Sequence, residues 1–209
     1  MAFLPILIDV KGAPCLVAGG GHIALHNVQK LLEHGADVTV IAPEISSELA
    51  ALPVKVLKRT VTAEDTEGML LVFDSTGDEP AQEMLSGRCK REHIPYICSG
   101  RGELCTAMLP AVLKRGRTVV AVSSLGASPA ASVWLRDKLA GDIPEDLDAI
   151  LDKMAELRTL SRELFSEQPK RSAFLHGCLD YMLKNGTIID KNTERTIAEN
   201  VTQFKEAIR

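Results

Sequence analysis

The sequence predicts an α/β protein, a parallel sheet followed by a small helical C-terminal domain. Three observations carry this. Short β-rich runs alternate with helical segments over the first two-thirds of the chain. A glycine-rich turn joins the first strand to the first helix, and after Gly141 strand-forming runs stop. Alternation of this kind produces parallel strands joined by right-handed crossovers.

In chain order, the strand candidates are residues 15–18, 38–42, 54–57, 70–74, 96–98 and 119–123. Each is rich in Val, Ile, Leu or aromatic residues and is bounded by turn formers. Helical stretches are expected near 22–34, 44–51, 79–93 and 128–140. Residues 4–10 form either an edge strand or a lead-in to the first βα unit. Beyond Gly141, Pro144 opens a helical turn, and Leu147, Ile150, Leu151, Met154 and Leu157 recur at helical spacing. Further helices are expected near 169–185 and 192–208, with Asn185-Gly186 as the break between them.

Composition narrows the function classes. The chain has 209 residues, 45% hydrophobic and 25% charged, as in ordinary globular proteins. Two Tyr, one Trp and a formal net charge of -4 oppose a nucleic-acid surface. Five Cys without a C-x-x-C pair point to reduced thiols in a cytoplasmic protein. The first residues lack a positive n-region, and their apolar run is too short for a signal peptide or a membrane span.

The glycine turn reads Cys15-Leu-Val-Ala-Gly19-Gly20-Gly21-His22-Ile23-Ala24. Gly19, Gly21 and Ala24 fill a G-x-G-x-x-A pattern between a strand and a helix, the Rossmann-type arrangement for a dinucleotide. A Cβ at the first glycine would block the turn, and one at the second would hold the pyrophosphate off the backbone. The helix N-terminus then offers N–H groups and a positive dipole end. The second strand ends at Ala42, followed by Pro43 and Glu44. Either Glu44 or the backbone around it receives the ribose hydroxyls, and no Arg follows to take a 2′-phosphate. NAD is therefore the expected cofactor, contacting residues 19–24, Pro43, Glu44, Ser75 and Thr76. His22 and His26 share a helix face but have no third ligand nearby, so no metal site is expected.

A second motif lies at Ser123-Ser124-Leu-Gly126-Ala-Ser128-Pro129. Ser128-Pro129 starts a helix, and the hydroxyls and open N–H groups upstream suit a carboxylate. The same cluster also reads as an ordinary helix cap.

Taken in order, the glycine loop, V-T-V-I-A-P-E, P-A-V-L-K-R-G, A-V-S-S-x-G-x-S-P-A and x-L-R-D-K-L resemble the precorrin-2 dehydrogenase / sirohydrochlorin ferrochelatase family, which includes the N-terminal part of siroheme synthase. The likeness runs from about residue 4 to 139. It implies NAD-dependent oxidation of precorrin-2 to sirohydrochlorin in siroheme/cobalamin (tetrapyrrole) biosynthesis, with iron insertion by some members. It also implies a homodimer in which residues around 113–141 are exchanged between subunits. The expected organisation is a Rossmann domain over 1–112, a dimerisation segment over 113–141 and a helical C-terminal domain over 142–209. Precorrin-2 carries eight carboxylates. Nine Lys/Arg against three acids between Arg88 and Lys138 suit such a substrate. Ser124, Ser128, Arg115 and Arg136 are the expected carboxylate contacts.

The chain departs from the family at the site of chemistry. An Asp expected ten residues before Pro110 is replaced by Gly100, within Cys98-Ser99-Gly100-Arg101. The family's Ala-Thr-Asp-Asp becomes Ser75-Thr76-Gly77-Asp78, and an Arg-Lys pair becomes His26-Asn27. Glu103 and Asp78 are the nearest substitutes as proton acceptor. Oxidation survives loss of the acid because the cofactor takes the hydride. Metal insertion needs a base over the ring, so chelatase activity is not expected. Two alternatives stay open: a bifunctional dehydrogenase/ferrochelatase, and a catalytically reduced carrier or sensor of NAD and tetrapyrrole.

Overall fold

The computed structural model describes residues 3–203. The described residues divide into two units. One runs to Pro110 and takes in Ser123–Pro129; the other comprises Ala111–Val122 and continues from Ala130. Among the described residues no helix is long and apolar enough to cross a membrane.

The first unit is built on five parallel strands: β1 (Pro14–Ala18), β2 (Asp37–Ile41), β3 (Lys55–Leu57), β4 (Leu71–Asp74) and β5 (Tyr96–Cys98). Their spatial order is β3-β2-β1-β4-β5, so the chain reverses direction across the sheet between β1 and β4. Period-2 alternation sends side chains to opposite faces, and both faces are covered. Cys15 and Val17 pack with Ala24, Val28 and Leu31 of α1 (His22–Glu33). Leu16 and Ala18 pack with Ala81, Leu85 and Cys89 of α3 (Glu79–Glu92). All four of these β1 side chains are wholly buried. Burying a Val or Leu side chain this completely stabilises by about 1.5–3 kcal/mol.

The expected helix over 44–51 shortens to α2 (Ser47–Ala50), with the Ser46 hydroxyl accepting from the Leu49 N–H at 3.3 Å. Its expected first residues, 44–46, are instead non-helical and lie against the glycine loop. Residues 4–10 form no strand. They could not pair beside β1, whose two neighbours are β2 and β4.

In the second unit β6 (Ala111–Arg115) and β7 (Thr118–Val122) form an antiparallel hairpin. This corrects the expectation that residues 119–123 extend the parallel alternation. A two-residue Gly116-Arg117 loop closes the hairpin, and Gly116 takes a positive φ of 54°. A glycine first in such a loop matches the twist of antiparallel partners. Helices α4 (Pro129–Ala140), α5 (Leu147–Leu164), α6 (Gln168–Asn185) and α7 (Lys191–Gln203) follow. The apolar side chains Ile150, Leu157, Phe174, Cys178 and Met182 form the core of α5–α7, and Gly186 ends α6 at φ 59°. Lys153 of α5 meets Glu194 of α7 at 2.7 Å. The expectation that the last helix reaches 208 extends beyond the described residues.

Candidate functional site

The loops leaving the carboxyl ends of β1, β2, β4 and β5 lie where open α/β sheets bind ligands, beside the reversal between β1 and β4. Gly19 is wedged there. Its N–H donates to the Ile41 carbonyl at 2.9 Å, and its φ is +116°. A Cβ on Gly19 would sit 2.5 Å from the Ser75 carbonyl oxygen. Gly20 is tighter still, since a Cβ would come within 1.9 Å of the Glu44 carbonyl oxygen. The Gly20 carbonyl in turn accepts from the Ser46 N–H at 2.9 Å. Residues 42–46 therefore lie on the glycine loop by backbone contact, while the Glu44 side chain is exposed.

Gly21 is different. A Cβ there meets nothing within 4 Å, and the residue is exposed in extended backbone at φ -93°. Crowding by the protein thus selects the first and second glycines, and the third faces open space. Gly21 caps α1 without a side chain, so the N–H groups of the first turn at His22, Ile23 and Ala24 have no cap hydrogen bond. His22 and Ile23 are exposed and Ala24 is buried. This is a cradle for an anionic group: open N–H donors, a positive helix end and no intruding Cβ. A dinucleotide pyrophosphate fits it.

Beneath the cradle lie two polar networks that motif reading did not identify. Asn27 of α1, 8% exposed, donates from Nδ2 to the Ser75 hydroxyl at 3.1 Å. Ser75 and Ser99 share a hydrogen bond at 3.3 Å, linking the ends of β4 and β5. The second network centres on Asp74, a fully buried carboxylate closing β4. Asp74 Oδ1 accepts from the Thr76 N–H at 3.0 Å and the Thr76 hydroxyl at 2.7 Å. Its Oδ2 accepts from the Tyr96 hydroxyl at 2.8 Å. Burial first, and then the Asp74 carboxylate, push the Tyr96 phenol far above its usual pKa. Ser75 and Thr76 are thereby held beside Gly19.

The substitutes for the absent Asp sit on neighbouring loops. Asp78 follows β4 and caps α3, its carboxylate accepting from the Ala81 N–H at 3.1 Å. Glu103 lies in a 3₁₀ turn (Gly102–Leu104) after β5 and pairs with Arg101 at 3.0 Å. Its own backbone N–H, and next Arg101, hold the Glu103 carboxyl below the usual range. Gly100 has φ +88° and open space where a Cβ would stand.

Ser124 and Ser128 are joined to each other: the Ser128 N–H donates to the Ser124 hydroxyl at 2.9 Å, which donates to the Ser128 carbonyl at 2.8 Å. In the other unit, Arg115 donates to the Ile143 carbonyl and Arg136 pairs with Asp137 at 2.6 Å. The structure therefore gathers residues 19–24, 42–46, Ser75 and Thr76 around one cradle, and holds Arg115 and Arg136 in the hairpin-and-helix unit. All five cysteines are buried and free, and burial pushes the thiols of Cys15, Cys89 and Cys178 up to about 11. Those three are protonated at neutral pH and unsuited to nucleophilic work. Among the described residues no group of three or more His, Cys, Asp or Glu side chains could hold a metal ion.

Fold and cradle together define a Rossmann-type nicotinamide-dinucleotide-binding protein. Residues 6–111 match the NAD(P)-binding family model NAD_binding_7. The chain is 33% identical over 176 residues to siroheme synthase of Ectopseudomonas mendocina (strain ymp), covering 83% of this chain and 38% of that protein. Siroheme synthase of Nitrosospira multiformis is 35% identical over 182 residues, covering 83% and 39%. That of Psychromonas ingrahamii is 30% identical over 217 residues, covering 100% and 45%. The chain thus spans less than half the length of these curated relatives. A solved structure of SirC, precorrin-2 dehydrogenase, shares the fold at a TM-score of 0.68 and 22% identity, covering 96% of this chain and 100% of that one. The chain belongs to the siroheme synthase family, matching less than half the length of those relatives, and its residues 6–111 to the NAD(P)-binding family.

Proposed function

We propose that this chain oxidises precorrin-2 to sirohydrochlorin with NAD as hydride acceptor, within siroheme/cobalamin biosynthesis in the cytoplasm. The single observation that carries the reading is the cradle, with Gly19 and Gly20 locked by carbonyl contacts and Gly21 open above α1. When bound, the nicotinamide accepts one hydride from the macrocycle, and one proton leaves, so that precorrin-2 and NAD⁺ give sirohydrochlorin, NADH and H⁺. The family relatives and the SirC fold support the choice of substrate.

The chain's own residues position and polarise. The N–H groups from Gly21 to Ala24 receive the pyrophosphate, and Ser75 and Thr76 form the wall facing it. Glu44 receives the ribose hydroxyls. With Glu44 and Glu48 present and no Lys or Arg between 43 and 54, a 2′-phosphate is disfavoured, which selects NAD over NADP. Ser124, Ser128, Arg115 and Arg136 contact substrate carboxylates. The released proton goes to Glu103 or Asp78 and on to water. Both carboxylates are already engaged, Asp78 in capping a helix N-terminus and Glu103 by its own backbone N–H and Arg101, which hold its carboxyl below the usual range. Engaged carboxylates suffice for oxidation, where ring placement dominates. They do not suffice for iron insertion, which this reading leaves unassigned.

The working form is a homodimer joined through residues 113–141. The exposure of the apolar side chains Val119, Val133, Trp134 and Leu135 on β7 and α4 supports this. Anaerobic incubation with precorrin-2 and NAD, with and without ferrous iron, tests the reading by absorbance. Sirohydrochlorin forms in both, and siroheme accumulates in neither. Unchanged precorrin-2 would refute the proposal.

A further inference from the structure

We propose that the helical unit carries a second binding site, a groove between α5 and α6 that takes an amphipathic organic carboxylate. The groove has a volume of about 680 Å³ and is lined entirely by these two helices. That size falls within the roughly 300–1,000 Å³ of small-molecule sites. Met154, Leu175 and Leu179 provide apolar lining and pack on the helical core behind it. Arg158 and Arg162 of α5 and Arg171 of α6 also line it, and no Asp or Glu does.

The arginines are the unusual feature. Arg158 and Arg162 stand four residues apart, the spacing at which like charges on a helix repel. Neither makes an ion pair among the described residues, and Arg171 donates only to the neutral Gln168 amide oxygen at 3.0 Å. Elsewhere on the same helices, Lys153 meets Glu156 and Glu194, and Lys170 meets Glu167. The chain has 28 acids for 24 Lys and Arg, so counter-ions are not scarce. They are left out of this groove. A planar guanidinium pairs with carboxylate oxygens in bidentate fashion, and cations from both helices beside an apolar strip of Leu151, Met154, Leu175 and Leu179 match a ligand with an apolar body and more than one anionic group. Inorganic phosphate would satisfy the arginines but leave the apolar lining wet. The shared chemistry has two sources, a rigid macrocyclic polycarboxylate or an acyl-chain carboxylate, and neither depends on the reaction proposed above.

The test titrates the full chain, without NAD, with uroporphyrin followed by its absorbance and with dodecanoate followed by calorimetry. Saturable binding of either probe is expected, and which probe binds identifies the source. Arg171→Gln should weaken binding about tenfold, as loss of a charge-assisted pair does, and Arg158→Gln/Arg162→Gln by more. Affinity should fall as salt rises. NADH binding, measured separately by fluorescence, should match wild type in every variant, which keeps this site distinct from the cradle on the first unit. Binding of neither probe, binding undiminished in the arginine variants, or phosphate binding as tight as either probe would overturn the proposal.

Discussion

The Tyr96 hydroxyl donates to the Asp74 carboxylate at 2.8 Å, and both side chains are at 0% exposure. Through the other Asp74 oxygen the same contact reaches Thr76. One buried carboxylate thus ties β5 to the loop that faces the glycine cradle.

Removing the phenol hydroxyl leaves a buried carboxylate oxygen short of a donor. Tyr96→Phe should cost about 1–3 kcal/mol in urea unfolding, the penalty for an unsatisfied buried group. Its pH dependence carries a sign. The folded state raises the Tyr96 pKa, so its contribution is complete below the unfolded value of about 10 and declines as pH rises beyond it. Wild-type stability should therefore fall more steeply above that pH than the stability of Tyr96→Phe. Parallel alkaline slopes would contradict the assignment.

The glycines separate folding from binding. Gly20→Ala sets a Cβ against the Glu44 carbonyl and should destabilise by about 2 kcal/mol or more, as backbone overpacking does. Gly21→Val enters open space in extended backbone and should unfold at the wild-type urea midpoint. Its dinucleotide affinity should fall about tenfold to a hundredfold, as one or two charge-assisted hydrogen bonds are lost. NADH fluorescence titration beside urea unfolding checks both halves.

These contrasts mark what the sequence makes legible. The glycine turn is a local pattern, so strand, loop and helix are readable from residues 15–34 alone. The α5–α7 core is equally readable, because Ile150, Leu157, Phe174 and Cys178 recur at helical spacing. The buried networks are not. Asn27 and Ser75 are 48 residues apart and Tyr96 and Asp74 are 22 apart; the packing of α1 beside β4 brings the first pair together, and the β4–β5 register the second. The β6–β7 hairpin had a visible signal in Gly116-Arg117 between two alternating runs. It was obscured by the parallel alternation upstream. The special tightness of Gly20 depends on the path of residues 43–46, which no motif encodes.

Restoring the acid tests the departure at Gly100. The site has room for the side chain, but φ +88° strains any residue with a Cβ, so Gly100→Asp should lose about 1–2 kcal/mol. If general-base assistance limits the reaction, oxidation should accelerate about a hundredfold. Iron insertion should then appear in the variant and be absent in the parent. Efficient insertion by the parent chain, unchanged in Glu103→Gln and Asp78→Asn, would refute the account of the missing base.

In the helical unit, Lys153 is 20% and Glu194 11% exposed at the side chain. The Glu194 carboxylate holds the Lys153 ammonium above its usual pKa. Glu194→Ala leaves the Lys153 ammonium with the exposed Glu156 as its ion-pair partner and should cost about 1–3 kcal/mol. Lys153→Met/Glu194→Leu should recover most of that loss in urea unfolding followed by far-UV circular dichroism. A double variant no better than Glu194→Ala would show that packing, not charge, dominates there.

The most direct measurement of the central claim is the stoichiometry of one anaerobic turnover. The chain is mixed with precorrin-2 and NAD, and NADH and sirohydrochlorin are quantified in the same cuvette. The account predicts one NADH for each macrocycle oxidised, and both products formed about tenfold to a hundredfold more slowly by Gly21→Val at limiting NAD. Sirohydrochlorin formed without NADH, or formed equally well by Gly21→Val, would contradict it.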